Sequence, residues 1–455
     1  MNQNKHFLIF IAEILVLFEL VAITWLCSGT RVPYMMVMVS ISVMSFLCVV
    51  AYRTFAEKVG EISKTERCAY FLSFIFLAYV FIQSANIRVL KVPADGYSLY
   101  LEQKYCAYLP SCVYESFLDF NNSAYFALYL GLICFGFSCC YLFKSRLFAK
   151  KALIFFILNA VLMGVFAIWQ KRNYSIMYDR FFSDGEFYGT FFLKNAAGTY
   201  FSLAIIAALY LIFSSVKVVY RKILGRLLLI VLVILLSYNV YDSESEGAML
   251  FCASVWGCFF MLFVLVFFAK HWGVKKLYII VPLFLCITIL ATFIFCSNKK
   301  YVIPSEIGVS MKSRIDINRY NISIFENSPI CGIGTSGYDY ELSKATKQNR
   351  DYSNVYKYLA VSDPHNSIFA YFIRHGVVGG LFISLALLLW ISVCWKRRNF
   401  IHKENVFVWL GLGCCVMYSF IDMHLSSIPS TMFAFVFLLA LSTPINEEDL
   451  HESIL

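Results

Sequence analysis

The sequence predicts an all-α membrane protein of about twelve transmembrane helices with one large loop on its outer side. Three observations predict this class. First, 60% of the 455 residues are apolar and only 15% are charged, with a mean hydropathy of +0.71. Soluble domains are about half apolar and about a quarter charged. This chain therefore has too little polar surface to wrap a soluble globule, and a disordered or fibrous chain is excluded as well. Second, the apolar residues form long runs that approach the about 20 residues a spanning helix needs. A membrane β-barrel would show short alternating segments instead. Third, Lys and Arg gather in every second loop.

Twelve stretches read as spans: 6–28, 32–52, 68–87, 123–143, 152–170, 197–216, 227–240, 247–269, 277–297, 376–395, 406–420 and 428–443. The 45 Phe and 30 Tyr suit lipid-facing helices and interfacial belts. Segment 6–28 has the length of a span and no small-residue cleavage site, so it is expected to be the first span rather than a cleaved leader. Loops 53–67, 144–151, 217–226, 270–276 and 396–405 each hold three or four Lys or Arg, such as Arg53, Lys58, Lys64 and Arg67 in the first. With twelve spans all five fall on one side. Positive loops mark the cytoplasm, so both termini are expected there. The +10 net charge is mostly this topology signal. A nucleic-acid surface would need the cations clustered on one soluble domain.

The chain thus divides into 1–297 with nine spans, a loop 298–366 between spans nine and ten, and 367–455 with three spans and a tail. A long loop in a compact protein is usually functional. This one holds Lys299, Lys300, Lys312, Arg314, Arg319, Lys344, Lys347, Arg350 and Lys357. Cations placed against the charge bias point to an anionic ligand, although long loops also cross regardless of charge. Most of the 16 Cys lie in spans and act as small apolar residues. Cys106 and Cys112 flank a Pro-containing outer segment, and a disulfide between them is a candidate. No Cys/His spacing suits zinc.

Four segments carry the chemistry. Ser313-Arg314 precedes Ile317, Tyr320, Ile324 and Phe325, which are spaced as one face of a short helix, and Pro329-Ile330-Cys331-Gly332-Ile333-Gly334 follows as a tight turn. Such a turn can offer backbone N–H groups to an anion; the plain alternative is a surface helix ended by Pro and Gly. Asp363-Pro364-His365-Asn366 reads as a helix start, with Asp363 as cap and Pro364 in the first position. A His there can act as general base or simply lie at the interface. Gly189-Thr190-Phe191 leads through Lys194-Asn195-Ala196-Ala197-Gly198 into a span whose small residues allow close packing. Asp242-Ser243-Glu244-Ser245-Glu246-Gly247-Ala248 is either a divalent-cation site or a solvated turn, and the turn is favoured. Asp339 and Glu341 form a weaker acidic pair. Glu13 and Glu19 lie inside the first span, where acids are functional candidates, but six residues apart they face different ways.

Together these segments resemble the O-antigen ligase and O-antigen polymerase superfamily of bacterial inner-membrane glycosyltransferases. That family's large loop carries an Arg, a Trp four positions later and a Pro-x-x-Gly-x-Gly turn. Here Arg314, Pro329, Gly332 and Gly334 match, and Asn318 replaces the Trp. His365-Asn366 and Gly376-Val377-Val378-Gly379 match its next motif. Gly189-Thr190-Phe191 with Asn195 and Ala197 is similar to its Gly-Thr-Phe segment. Ser245-Glu246-Gly247-Ala248 stands where the family has Ser-Arg-Gly-Ala, and Glu246 cannot hold an anion as that Arg would.

The resemblance implies a GT-C-like bundle in the bacterial inner membrane with a periplasmic site. It implies a donor glycan on undecaprenyl diphosphate and a metal-independent transfer to an acceptor hydroxyl, lipid A–core first. A polysaccharide polymerase or a protein O-oligosaccharyltransferase are the alternatives within the family, and a transporter using Glu13 and Glu19 is the alternative outside it. His365 would take the acceptor proton. Arg314 would hold the donor diphosphate, with Arg180, Lys194 and Arg319 as candidates for the duty lost at Glu246. Asn366, Asn195, Gly332 and Gly334 would support the site. No cofactor, metal or nucleic acid is expected. His375 lies outside the motifs and is expected to tolerate Ala.

The topology has a direct test. A cysteine introduced at Ser336, in a background lacking the native outer-loop cysteines, should react with an impermeant maleimide in intact cells. Reaction only after lysis would place the loop inside and remove the proposed site.

Overall fold

The computed structural model describes residues 2–26, 32–56, 64–94, 97–114, 122–173, 188–191, 193–214, 220–272, 317–335, 337–338, 340–341, 344, 364–396 and 405–441. The expected ninth span, 277–297, lies outside them, as do Arg314, Arg180, Asp339 and Asp363. The described residues form helices α1 (Asn2–Trp25), α2 (Val32–Ala56), α3 (Lys64–Ala85), α4 (Asn122–Leu142), α5 (Arg146–Arg172), α6 (Lys194–Ser214), α7 (Tyr220–Asp242) and α8 (Glu246–Trp272). They continue with α9 (317–327), α10 (Ser367–Lys396), α11 (Asn405–Tyr418) and α12 (Pro429–Leu441). Eight of these are long and apolar enough to cross a membrane, and three shorter apolar helices, at 246–262, 407–418 and 429–441, join them. The protein is a multi-pass, mainly helical membrane protein.

Burial explains which helices are central. The membrane supplies an apolar solvent, so a helix shows its place by small residues and close contacts rather than by a polar face. α6 is the most enclosed span and packs on α5, α7, α8, α11 and α12. Its Ala196, Ala197, Ala204, Ala207 and Ala208 are all buried. At Gly198 a Cβ would run into Ala248 of α8, so the small residues read in the sequence do permit close approach. Inside the first span the two acids part company. Glu13 faces Lys151 of α5, whereas Glu19 is fully buried toward Ser42 of α2.

The sequence reading gave no strands, yet the segment after α3 folds into a three-stranded sheet. β1 (Ile87–Ala94) pairs antiparallel with β2 (Tyr97–Glu102) and parallel with β3 (Cys112–Tyr114). Val89, Val113 and Tyr340 make its small core, with Tyr100 against Tyr340. Arg88 Nη2 reaches Glu341 Oε1 at 2.9 Å. The sheet therefore braces part of the large loop through the Arg88–Glu341 ion pair, while Asp339, its expected acidic neighbour, lies outside the described residues. The Cys106–Cys112 disulfide is not formed. Both thiols are free, Cys106 exposed and Cys112 buried, with Cys112 Sγ turned to the Ser84 carbonyl at 3.7 Å.

The large loop docks as the sequence pattern implied. On α9, Ile317, Tyr320 and Ile324 are buried and pack with Ile333, Tyr338 and Ile373, with Phe325 and Phe369 alongside. α10 differs from expectation. It begins at Ser367, not at 376, and is broken at Gly376, where φ is 64° and ψ is −173°. The break would orphan backbone groups at bundle depth, each costing several kcal/mol in lipid. The turn 329–334 satisfies them. Val377 N donates to Pro329 O at 2.8 Å and Val378 N to Ile330 O at 3.2 Å. In return Ile333 N donates to Ile373 O at 3.0 Å and Gly334 N to Arg374 O at 2.9 Å. The two chains lie so close that a Cβ on Gly376 would strike the Ile330 carbonyl, and one on Gly332 would strike the Arg374 carbonyl. α3 completes the joint: Tyr79 Oη donates to Cys331 O and His375 O, and Gln83 Nε2 to Cys331 O and Arg374 O.

His375 belongs to the same joint, which corrects the expectation that it is dispensable. It is fully buried. With the Gln83 amide nitrogen serving carbonyls, Gln83 Oε1 accepts from His375 Nδ1–H at 2.8 Å. Nε2 is then free to accept from the Tyr129 hydroxyl at 3.2 Å. The ring ties α10 to both α3 and α4. His375→Ala should cost a few kcal/mol, from two orphaned polar partners and a cavity, and should lower the thermal midpoint of the purified protein. Gly376→Ala should cost about 1–3 kcal/mol from its backbone angles alone and speed proteolysis at 328–335. Wild-type stability in both variants would show that the joint is not needed.

Candidate active site

One end of the bundle carries the large loop, and there three of the four motif segments meet. At the start of α10, Asn366 is the cap: its Oδ1 accepts from Phe369 N at 2.9 Å. His365, just before the cap, has φ 51°. That left-handed angle is uncommon for a residue with a side chain and is found where surrounding structure enforces it. Here the enforcement is visible on both sides. Asn321 Nδ2 of α9 donates to Pro364 O at 2.9 Å, and Asn321 Oδ1 accepts from Tyr338 Oη at 2.7 Å. Ser367 N, on the other side, donates to Ser419 O at 2.8 Å and Asp422 O at 3.0 Å, and Ser367 Oγ donates to Asp422 O at 2.7 Å. Asn318, standing at the family's Trp position, lies near Asn366 at 3.5 Å.

Asp422 joins these pieces, and the sequence reading passed over it as part of a short loop. It is buried. Its Oδ2 accepts from Asn195 Nδ2 at 2.9 Å and from Tyr418 Oη at 2.6 Å, and its Oδ1 from Met423 N at 2.8 Å. Asn195 Oδ1 in turn accepts from Ser245 Oγ at 2.6 Å, and Ser245 caps α8 through Ala248 N at 3.2 Å. One chain of hydrogen bonds thus runs from the Ser-Glu-Gly-Ala segment through Asn195 and Asp422 to Ser367, two residues from His365. Rings fix its centre. Tyr418 is stacked between Phe251 of α8, at 5.6 Å, and His424, at 4.5 Å. Burial pushes the His424 imidazole down to about 4, against the pull of the Asp422 carboxylate. The ring is therefore neutral near pH 7 and can lie flat on Tyr418.

The turn before α8 is an ion-paired device. Lys171 Nζ reaches Glu244 Oε1 at 2.7 Å, Asp242 Oδ1 at 3.5 Å and the Asp242 carbonyl at 2.8 Å. Lys171, with Lys194 behind it, holds the Glu244 carboxyl below the usual carboxylate range. Asp242 Oδ2 also accepts from Tyr188 Oη at 3.0 Å, next to Gly189 at φ 66°. This is the turn reading of the acidic run, with Lys171 as a cation that sequence spacing did not reveal. Lys194 is exposed at the first position of α6, Glu246 at the first of α8, and Arg319 on α9.

Gly332 and Gly334 have the left-handed angles expected of them, φ 71° and 82°. Their amides, however, do not form an anion cradle. Gly332 N is given to Ser328 O, and Ile333 N and Gly334 N to the α10 break. Their role is to seat the loop.

Coupling through Asp422 is measurable. Asn195→Ala and Asp422→Ala should each destabilise the protein by about 1–3 kcal/mol, because each leaves a buried partner unpaired. The double variant should lose about 0.5 kcal/mol or more less than the sum. Strict additivity in thermal unfolding would mean that the two side chains do not share the bond.

The arrangement now stands beside what is known of other proteins. No curated protein matches the chain. Residues 230–384 match the model of the family described as O-antigen ligase. The match runs from α7 through the large loop and the broken α10, and it includes Ser245, His365 and Asn366. Over that stretch the chain is similar to the O-antigen ligase family, in agreement with the motif order.

Proposed function

We propose that the protein moves a glycan from undecaprenyl diphosphate to an acceptor hydroxyl, that of lipid A–core, at the periplasmic face of the bacterial inner membrane. The observation that carries this reading is the convergence at Asp422. Asn195 is bonded to the buried Asp422 carboxylate and carries Ser245 behind it, while Ser367, two residues after His365, donates to the Asp422 backbone carbonyl. The three segments, far apart in sequence, thus meet beside an apolar groove between α3, α4, α10, α11 and α12.

In the reaction a bond forms between the acceptor oxygen and the anomeric carbon, and the bond from that carbon to the diphosphate oxygen breaks. His365 takes the acceptor proton. Its enforced backbone angle fixes the direction of its Cα–Cβ bond. The departing diphosphate needs cations. Lys194 and Arg319 are exposed near this end, and Arg314 and Arg180 are assigned to the same task from sequence. Lys171 holds the acidic turn in place near Lys194, where the family's Arg is missing. The reading needs no metal or cofactor.

Deletion of the gene followed by gel separation of surface glycans tests the acceptor. Loss of all long glycan on core supports ligation. A single repeat left on core would assign polymerisation instead, and an unchanged ladder with unglycosylated protein would assign transfer to protein. The base has its own test. His365→Ala should lower the transfer rate about 10²–10⁴-fold while the protein still accumulates. His365→Gln should not restore it, since an amide cannot take the proton. Recovery with Gln would make His365 a positioning residue. Because His375 is structural, the control for folding is the thermal midpoint of each variant rather than a substitution at His375.

A further inference from the structure

The groove beside the site has a volume of about 490 Å³. Its mouth includes Ser367 and Ser419, whose backbones meet in the turn that holds Asp422. From Tyr129 to Cys140 it follows α4 for about 16 Å, at about 1.5 Å per residue. Among the described residues no charged side chain lines it, a lining that suits hydrocarbon rather than a head group. Leu388 lines the groove and is 60% exposed on the outside of the bundle, which opens the groove sideways to the bilayer. A cluster of rings lies along its far part. Phe137 and Trp390 lie 5.2 Å apart, and Tyr70 packs on both, at 4.0 and 5.4 Å. Tyr70 Oη is anchored on the buried Glu66 at 2.9 Å, so three helices hold the cluster.

We propose that the Tyr70–Phe137–Trp390 cluster is a floor that sets how much of the donor's polyprenyl chain the groove holds, with Trp390 the specificity-determining residue for that length. The proposal rests on the transferase reading above for the identity of the chain, and the continuity of the groove with the Asp422 turn is what commits it to the donor. Hydrocarbon gains little by leaving lipid for protein, so discrimination here comes from packing and sterics. Units that fit above the floor lie against the protein. Units beyond it must turn out past Leu388 into the bilayer.

Position, not affinity, is therefore the readout. Polyprenyl phosphates carrying a photoreactive diazirine at successive isoprene units are bound to the full chain in lipid nanodiscs, irradiated and mapped by mass spectrometry. Units nearest the phosphate should mark Tyr129 and Ile133, later ones Phe137 and Trp390, and units beyond that should lose protein adducts. Trp390→Ala should move the last marked unit outward by one or more, and Ala386→Phe should move it inward. Should Trp390→Ala fail to accumulate, Trp390→Leu carries the same expectation. Adducts without this order, or a last unit unchanged in the variants, overturn the floor and leave the transferase reading intact. Ordered adducts in a protein that transfers no glycan from any donor sink the transferase reading and leave the floor standing.

Discussion

The exchange of four backbone hydrogen bonds between the broken α10 and the turn 329–334 is the constraint on which the rest of the molecule depends. A helix cannot simply stop and restart in an apolar environment, because its freed N–H and C=O groups have no water to turn to. Here the donors freed at Val377 and Val378 find Pro329 and Ile330, and the acceptors freed at Ile373 and Arg374 find Ile333 and Gly334. Glycine at 332 and 376 is a steric demand of that contact. With the joint made, the first turns of α10 are set independently of the rest of the helix, and Ser367, two residues after His365, comes to rest on the 419–425 turn. Tyr79, Gln83 and His375 lock the joint from the side.

A second constraint is electrostatic. A buried carboxylate is costly unless its oxygens are satisfied, and Asp422 is given donors from α6, α11 and its own turn. Because those donors come from different helices, satisfying one group fixes several elements at once. The flat stack of Phe251, Tyr418 and His424 keeps the strongest donor pointed correctly. The fold and the site are thus built from the same bonds, so damage to the site and damage to the fold will often look alike.

Much of this was legible in the sequence, and the failures have physical reasons. Spans were readable because lipid demands long apolar runs, and α9 because Ile317, Tyr320 and Ile324 keep a helical period. His365, Asn366 and Asn195 were readable as motifs, and the structure brings them to one place. Asp422 was not. A lone acid in a short loop looks solvated, and only the approach of α6 and α11 shows that it is enclosed. The break at Gly376 was missed for a related reason. A Gly-Val-Val-Gly run in an apolar stretch is compatible with an unbroken span, and what breaks it is a turn more than forty residues earlier. The sheet escaped notice because β1, β2 and β3 are short and take their core residue Tyr340 from the large loop. His375 looked idle because its partners, Gln83 and Tyr129, lie on other helices.

The order of these parts along the chain has a consequence for biosynthesis. Asn195 and Ser245 are made first, the turn 329–334 next, then the helix it must join, and Asp422 only near the end. The large loop thus emerges before α10 exists to receive its amides, and it has to wait, unjoined, until that helix is inserted. The carboxylate that gathers the earlier segments arrives later still, with the turn between the last two helices. A ribosome that stops short of that turn leaves a chain with most of its spans and its joint made, but with nothing to draw the starts of α6, α8 and α10 together, a state that quality-control proteases can recognise by those ungathered ends.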